Sequence, residues 1–450
     1  MTIIGIDIGT TSICGVAAAP ESGKLLRSVT RANDSALQTG QPFAHCQDPQ
    51  RILQICTEIY QDLLREFPDA AAVGFTGQMH GVLCLDAAGA PLSPLYTWQD
   101  GRGGEPYREG MTYAQELTRR TGHLMATGFG FTTLFYNAET GRFPAETAKI
   151  CTIHDYVAMR LCGLREPVMH VSDAASFGLF DLKMLCFDGN GIEKAGISPS
   201  ILPKVVQDCR FIGKTKENIP VCVPLGDNQA SVLGSLCEDG VLVNVGTGSQ
   251  VSAVCREYIP AANVEYRPYL DGKYLVTGCA LAGGYAYSLL KNFFAQTLRM
   301  FGAELPEDAY DRMNEAAKQA NGLPGAIVCE PYFCGTRENP AMRAAFRQID
   351  AKNFTPQALT ASVLNGISEE LYGYYRAFLP LLETRPKALV GSGNGIRKNK
   401  LLANIFSERF GMPLRIPLYE EEAAFGGMFS AYMALKNISS DKIQELIRYE

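Results

Sequence analysis

One stretch near the N-terminus returns in the middle of the chain, and this long-range repeat limits the fold more than any other feature. Residues 7–12 read DIGTTS and residues 244–249 read NVGTGS, an offset of 237 positions (244 minus 7). In both copies a run rich in β-branched residues leads into a turn of glycine and hydroxyl residues, and a second apolar run follows, which predicts a β-hairpin. A repeat with so long a period indicates two related halves.

Both halves are predicted to be α/β domains, because candidate strands and helices are mixed in each. We place the boundary in residues 238–240, which gives an N-terminal domain over 1–238 and a C-terminal domain over 239–450. Capping residues and apolar spacing predict helices at 48–66, 154–161, 227–237, 281–301, 355–382 and 397–410. Short apolar runs predict strands at 72–76, 82–86 and 388–390.

The composition excludes a disordered chain and argues against a nucleic-acid-binding protein. The 450 residues are 46% hydrophobic and 20% charged, a balance that is typical of globular proteins with more than one core. The net charge is −6, whereas a nucleic-acid surface needs a basic patch. A charged ligand must therefore be held by local groups and not by a broad positive field.

The cysteines and the apolar segments predict a cytoplasmic protein that does not enter a membrane. The fourteen cysteines form no Cys-x-x-Cys pair and no zinc spacing, so we interpret them as mostly buried thiols in a reducing compartment. No basic run precedes an apolar one at the N-terminus, which argues against a signal peptide. The longest uncharged apolar stretch, 275–290, is shorter than the ~20 residues that a membrane span needs.

Each hairpin turn is a candidate phosphate site, because glycine permits close approach and because backbone N–H groups and hydroxyls are suitable donors to phosphate oxygens. Asp7 stands two positions before the first turn, where a carboxylate can hold Mg²⁺ directly or through water. For either turn alone, an ordinary tight hairpin is the alternative. The candidate phosphate-binding residues are Gly9, Thr10, Thr11, Ser12, Gly246, Thr247 and Gly248.

A third glycine cluster, residues 391–395, lies between a predicted strand and a predicted helix. It is not a Walker loop, because no Gly-Lys-Ser/Thr follows. Gly391, Gly393 and Asn394 could admit the base or sugar of a nucleotide close to the backbone, and a simple strand-to-helix turn is the alternative. Small residues at 422–427 open another helix, for which close helix packing is the alternative to a ligand contact.

A polar group around the only tryptophan could hold a sugar. Gln78 and His80 stand between glycines, and Trp98 is followed by Asp100 and Arg102. An aromatic ring suits the C–H face of a sugar, while amide, imidazole and charged groups suit its hydroxyls. The alternatives are core packing for Trp98, a surface ion pair for Asp100 with Arg102, and a structural histidine for His80.

Asp227 follows a buried apolar run and begins a predicted helix, 19 residues before the second turn (246 minus 227). A carboxylate in that position can accept the proton of an attacking hydroxyl. A plain helix N-cap is the alternative, because aspartate is a favoured capping residue.

These motifs together resemble the FGGY carbohydrate kinase family of the actin-like ATPase superfamily, in the expected order and over essentially the whole chain. Residues 7–12 and 246–249 resemble its two phosphate motifs, residues 391–395 its adenosine turn, and Gly226-Asp227 its catalytic aspartate. Residues 77–81 resemble an element of its ketose kinases. The ketose kinases of the family are also resembled in five further segments, which are residues 97–102, 126–130, 152–157, 161–164 and 226–231.

The resemblance implies two RNase-H-like domains with a cleft between them, ATP and Mg²⁺ as co-substrates, and a ketose that is phosphorylated on its terminal hydroxyl. It favours a seven-carbon ketose, with a five-carbon ketose as the alternative. Asp227 would act as the base and would also contact the sugar. An actin-like ATPase without a sugar substrate is the alternative of a different class, and a homodimer is left open.

Overall fold

The computed structural model describes residues 1–108, 110–237, 239–323, 325–336, 339 and 341–450. The chain forms two compact units. Unit 1 comprises 1–235, 267–274 and 421–448, and unit 2 comprises 236–266, 275–420 and 449–450. The predicted boundary includes Glu238, which lies outside the described residues, and the division at 238/239 stays a prediction.

The main sheet of unit 1 begins with the predicted hairpin. Its strands, in spatial order, are Phe211–Lys214, Pro220–Cys222, Val73–Gly77, Ile3–Ile8, Ser12–Ala19 and Lys24–Ala32, and Leu225–Gly226 also pairs with Val73–Gly77. Ile3–Ile8 is antiparallel to Ser12–Ala19 and parallel to Val73–Gly77. The carboxyl ends of Ile3–Ile8, Val73–Gly77 and Leu225–Gly226 therefore meet at one edge of the sheet.

Nine α-helices are found in the described part of unit 1, and its remaining strands form small ribbons. The helices are Pro49–Glu66, Tyr113–Thr121, Gly130–Glu139, Ile153–Leu161, Val171–Ser176, Gly189–Lys194, Asp227–Ser235, Glu422–Lys436 and Ser440–Gln444. The ribbon strands are Ala36–Leu37, Cys46–Gln47 and Leu95–Tyr96; Leu83–Leu85 and Lys149–Cys151; Val168–His170 and Lys204–Val206; Phe180–Asp181 and Cys186–Phe187. Pro49–Glu66 covers the hairpin with a buried apolar face that includes Ile52 and Ile59.

The helix Glu422–Lys436 packs against the N-terminal strands without room for side chains at the contact. A Cβ on Gly5 would overlap the backbone of Ala424, and one on Gly74 would overlap the backbone of Gly427. The same helix meets Asp227–Ser235, where a Cβ on Gly426 would overlap Ala230. The small residues at 422–427 therefore serve close packing, which was the alternative considered for them.

Unit 2 contains most of a second sheet, with the second predicted hairpin at its centre. The strands, in spatial order, are Glu265–Pro268, Tyr274–Ala280, Ser249–Cys255, Gly240–Val245, Ala388–Ser392 and Leu414–Arg415, and a ribbon joins Val328–Glu330 to Ala345–Arg347. The helices that the structure describes here are Gly283–Met300, Ala309–Ala320, Pro356–Phe378, Asn394–Arg397 and Lys400–Phe410.

The predicted repeat is present as a shared topology. In each unit an antiparallel hairpin lies beside a strand that runs parallel to its first strand, which is Val73–Gly77 in one unit and Ala388–Ser392 in the other. The turns differ in length. Residues 9–12 separate the paired Ile8 and Ile13, whereas residues 246–248 separate the paired Val245 and Ser249.

Two further predictions were tested by the structure. All fourteen cysteines are free, and eight of them are buried, as predicted from their spacing. The predicted helix at 397–410 is wrong at its start, because Asn394–Arg397 forms a separate short helix and Asn399 then caps Lys400–Phe410. Within the described residues, no helix has the length and apolarity needed to cross a membrane.

Candidate active site

Two carboxylates stand at the edge where three parallel strands of unit 1 end. Asp7 lies opposite Thr76 in the strand register, and Gly226 lies opposite Gly77, so that Asp227 follows directly after the aligned strand ends. Both acids are half-buried. The carboxyl ends of parallel strands are where open α/β sheets usually bind ligands. The pairing of the strands thus brings Asp7 and Asp227 to one edge of the sheet, although 220 positions of the sequence separate them (227 minus 7).

A buried histidine and two further acids lie beneath this edge, and none of the three was among the predicted site residues. His154 is in the first turn of Ile153–Leu161, and its Nε2 lies 3.0 Å from Oδ1 of Asp173. The contact lacks hydrogen-bond alignment, so it is an ionic contact. Asp155 completes a capping box with Thr152, whose hydroxyl donates to its Oδ2 at 2.7 Å.

Gly77 is what allows the histidine to approach the strand ends. A Cβ at Gly77 would lie 2.8 Å from Nδ1 of His154. Nδ1 has no hydrogen-bond partner among the residues that the structure describes. The imidazole therefore lies against the backbone of Val73–Gly77, the strand that pairs with Ile3–Ile8 and with Leu225–Gly226.

The charges of this cluster shift one another's protonation. Burial, and to a smaller extent the negative charge of Asp227, raises the pKa of Asp7 to about 7 against the opposing effect of His154. Burial also raises the pKa of Asp227 to about 6, while His154 and Arg267 act in the opposite direction. For His154, burial lowers the pKa, but the charges of the nearby acids outweigh it and raise the pKa to about 9.

The residues present fit a divalent cation at Asp7. Its Oδ1 is buried and has no hydrogen-bond partner among the described residues. Carboxylate oxygens are the ligands that Mg²⁺ prefers. Ligand atoms of His154, Asp155 and Asp173 also lie within 4.8 Å of one another, but the protonated imidazole already supplies a positive charge there.

The first glycine turn is anchored to its surroundings through its carbonyl groups. The side-chain amide of Asn33 donates to Gly9 O at 2.9 Å, and its backbone N–H donates to Thr11 O at 2.9 Å. Gln47 donates to Thr10 O at 2.8 Å. The side chains of Thr11 and Ser12 are exposed. Phosphate binding by this turn stays a prediction.

Thr10 joins the predicted phosphate turn to the predicted sugar cluster. Trp98 Nε1 donates to Thr10 Oγ1 at 3.0 Å, and Thr10 in turn donates to Oε1 of Gln78 at 3.3 Å. Trp98 is 47% exposed, so core packing is not its role. The structure therefore brings Gln78 and Trp98 to the first turn.

His80 lies on the same loop as Gln78 but faces other partners. Its φ is +68°, a backbone conformation that is uncommon for any residue other than glycine. Its Nδ1 lies 2.7 Å from Ser176 O, and its ring stacks on Phe129 with centroids 4.8 Å apart and an interplanar angle of 1°. Contact of His80 with a sugar stays a prediction.

Asp100 and Arg102 form a buried ion pair, not the surface pair that was the alternative considered for them. Arg102 Nε lies 2.6 Å from Asp100 Oδ1, and the two residues are 5% and 0% exposed. Arg102 also donates to Asn137 at 2.6 Å and lies over the ring of Tyr96. Because the charges of Asp100 and Arg102 are paired with each other, these residues could orient a sugar only indirectly, by fixing the loop that carries Trp98. A role of the pair in sugar binding stays a prediction.

In unit 2 the second turn and the third glycine cluster lie at one edge of the sheet. Gly240–Val245 runs parallel to Ala388–Ser392, with Asn244 opposite Ser392 and a 2.7 Å hydrogen bond between their side chains. The turn is fixed by Gly284 N–H, which donates to Gly246 O at 2.9 Å. Gly246 and Thr247 are exposed, as is Asn394 in the third cluster. Nucleotide binding by Gly246, Thr247, Gly248, Gly391, Gly393 and Asn394 stays a prediction.

Comparison with known proteins identifies the family. The N-terminal domain of the FGGY family of carbohydrate kinases matches residues 2–234, and its C-terminal domain matches residues 241–435. The sedoheptulokinase of Mus musculus is 31% identical over 94% of this chain and 95% of its own length. That of Homo sapiens is 29% identical over 91% of this chain and 93% of its own.

A solved structure, the xylulose kinase from Rhodospirillum rubrum, resembles the chain with a TM-score of 0.86 and 21% identity, over 100% of this chain and 93% of that one. Likeness at this level of identity concerns the fold, and it confirms the predicted α/β fold of actin-like sugar kinases. By the two domain matches and the similarity along its length, the chain belongs to the FGGY family of carbohydrate kinases.

Proposed function

We propose that the chain transfers the γ-phosphate of ATP to the terminal hydroxyl of sedoheptulose. The observation that carries the choice of sugar is the 31% identity to the Mus musculus sedoheptulokinase over nearly the whole of both chains. The position of Asp227 at the strand edge beside Asp7 supports the chemistry. We also propose the cytoplasm as its location, and a homodimer is left open.

In this proposal Asp227 takes the proton of the sugar hydroxyl while that oxygen attacks the γ-phosphorus. The bond between the γ-phosphorus and the β–γ bridging oxygen breaks, and ADP leaves. With a pKa of about 6, Asp227 is mostly ionised at pH 7, as a base must be. Asp7 would hold Mg²⁺, which neutralises phosphate charge when bound.

The predicted binding residues have separate tasks in this mechanism. The two glycine turns would donate hydrogen bonds to the phosphates, and Gly391, Gly393 and Asn394 would face the nucleoside. Trp98, Gln78 and His80 would orient the sugar, and Asp100 with Arg102 would hold the loop that carries Trp98.

Two alternatives remain. Xylulose, a ketose two carbons shorter, also ends in a primary hydroxyl that could accept the phosphate, and the Rhodospirillum rubrum structure bears the name xylulose kinase. An actin-like ATPase would hydrolyse ATP without any sugar. The half-exposed Trp98, hydrogen-bonded beside the first turn, favours a sugar kinase over that alternative.

ADP release should be measured with sedoheptulose, with xylulose and without sugar, at equal concentrations. The proposal expects kcat/KM to be highest with sedoheptulose and expects little ADP release without sugar. A higher kcat/KM with xylulose would reassign the substrate, and sugar-independent turnover that Asp227→Asn abolishes would indicate an ATPase.

A further inference from the structure

Three hydrogen bonds form a closed circuit around the first turn of unit 1, and a fourth joins Trp98 to it. Gln47 Nε2 donates to Thr10 O at 2.8 Å, and Gln78 Nε2 donates to Gln47 Oε1 at 2.8 Å. Thr10 Oγ1 donates to Gln78 Oε1 at 3.3 Å, which closes the circuit, and Trp98 Nε1 donates to Thr10 Oγ1 at 3.0 Å. Gln47 and Gln78 are buried, whereas the Trp98 ring is partly exposed.

The directions of these bonds follow from two groups that can each play only one role, the Thr10 carbonyl and the Trp98 indole N–H. Thr10 O can only accept, so the amide nitrogen of Gln47 must face it and Oε1 of Gln47 must face Gln78. Gln78 must then offer its own nitrogen to Gln47 and its Oε1 to Thr10. The indole N–H of Trp98 can only donate, so the Thr10 hydroxyl accepts it and sends its single hydrogen to Gln78.

The hydroxyl hydrogen of Thr10 is therefore already used within the protein. A phosphate could receive it only if the bond to Gln78 broke, which would leave a buried acceptor unpaired. The two neighbouring hydroxyls differ in this respect. The side chains of Thr11 and Ser12 are exposed, and within the described part of the chain neither hydroxyl has a side-chain hydrogen bond.

We infer that Thr10, through its hydroxyl, and Gln47 are positioning residues for the sugar side of the site, because they fix Gln78 and the Trp98 ring. The side-chain hydroxyls that the turn offers to phosphate are then those of Thr11 and Ser12. This inference deepens the proposed function and rests on it. Gln47 was not among the predicted site residues, and Thr10 was predicted as a phosphate ligand.

The test compares Thr10→Val with Thr10→Ser and with Thr11→Val. Loss of a hydrogen bond that fixes Trp98 and Gln78 should raise the sedoheptulose KM of Thr10→Val by about 5- to 10-fold, the scale of one net hydrogen bond, and leave the ATP KM within about twofold. Thr10→Ser keeps the hydroxyl and should restore the sugar KM. Thr11→Val should instead raise the ATP KM.

Because Trp98 is the only tryptophan, its fluorescence gives a readout that does not depend on turnover. Acrylamide quenching should rise in Thr10→Val, in which the indole N–H has lost its acceptor, and should not rise in Thr10→Ser or Thr11→Val. Gln47→Met should repeat the Thr10→Val behaviour in a milder form. The matched control is Gln54→Met on the exposed side of Pro49–Glu66, which should change neither KM nor quenching.

A Thr10→Val enzyme with an unchanged sugar KM and a raised ATP KM would overturn the inference. Unchanged quenching in both Thr10→Val and Gln47→Met would overturn it as well. Failure of the proposed function would look different, because the unmodified enzyme itself would then not phosphorylate sedoheptulose, while the quenching comparison would still test the circuit.

Discussion

His154 Nε2 lies 3.0 Å from Asp173 Oδ1, and both side chains are completely buried. A buried ion pair becomes costly when one partner is removed, because the remaining charge has lost both its counter-charge and water. We predict that His154→Gln lowers the free energy of unfolding by about 3–5 kcal/mol. Chemical denaturation at pH 7 measures the loss.

His123→Gln is the matched control for that change. His123 pairs with Asp188 at 2.9 Å, but both side chains are about 30% exposed. Exposed pairs contribute about 0–1 kcal/mol, so this variant should unfold almost like the unmodified chain. An equal effect of the two substitutions would contradict the role assigned to the buried pair.

The same histidine predicts a dependence of stability on pH. Its pKa rises from 6.5 to about 9 on folding, so the stability that it contributes is complete below pH 6.5 and is lost as the pH rises through 9. The free energy of unfolding should fall over this range, and the slope should be smaller in His154→Gln. A flat profile in the unmodified protein would show that His154 is not charged in the fold.

Asp227→Asn should lower kcat by about 10²- to 10⁴-fold, because the amide cannot take the proton of the sugar hydroxyl. The melting temperature should stay the same or rise, since burial disfavours the ionised carboxylate and asparagine carries no charge. Turnover of the unmodified enzyme should decline as the pH falls through about 6, where Asp227 becomes protonated. Near-normal kcat in the variant would remove Asp227 from the mechanism.

Gly246→Ala tests phosphate binding by the second turn. The nearest atom to the added Cβ is Gly248 O at 3.9 Å, and Gly246 is exposed, so the fold should tolerate the methyl group. A phosphate bound against the turn would clash with that methyl group, so we predict that Gly246→Ala raises the KM for ATP. Gly373→Ala adds a methyl group with no atom within 4 Å and should have no such effect. An unaltered ATP KM in Gly246→Ala would make the turn purely structural.

Arg102→Met should destabilise unit 1 by about 3–5 kcal/mol, because Asp100 would be left buried without its partner. Arg210→Met removes a pair with Asp208 whose side chains are at least half exposed, and it should cost less than about 1 kcal/mol. Thermal or chemical unfolding of the two variants gives the comparison. Equal stabilities would mean that the buried pair contributes no more than an exposed one.

Local pattern was enough to predict much of the fold. Alternating β-branched residues before a glycine turn predicted both hairpins, and Asp48 before Pro49 predicted a helix that the structure begins at Pro49. Asp227 could also be predicted to begin a helix, because it follows a buried strand. In these cases the residues that determine the hairpin or the helix start lie within a few positions of it in the sequence.

The cluster beneath the site could not be predicted in this way. His154 and Asp173 meet because separate helices bring them together, and His154 near the start of a helix has the pattern of an ordinary core residue. Burial of Arg102 likewise depends on Asn137 and Tyr96, to which no local pattern connects it. The one available signal was an isolated histidine followed by an acid within a capping box.

The glycine contacts of Glu422–Lys436 have a consequence for biosynthesis. This helix packs on the strands that carry Asp7 and Gly77, but it is translated long after Ser235, with 187 positions between them (422 minus 235). At roughly 5–20 residues per second, that interval lasts on the order of 10–40 seconds. The growing chain must hold an incompletely covered N-terminal sheet for this time, and the strands that end at Asp7 and Gly77 are covered by this helix only when translation has passed Lys436.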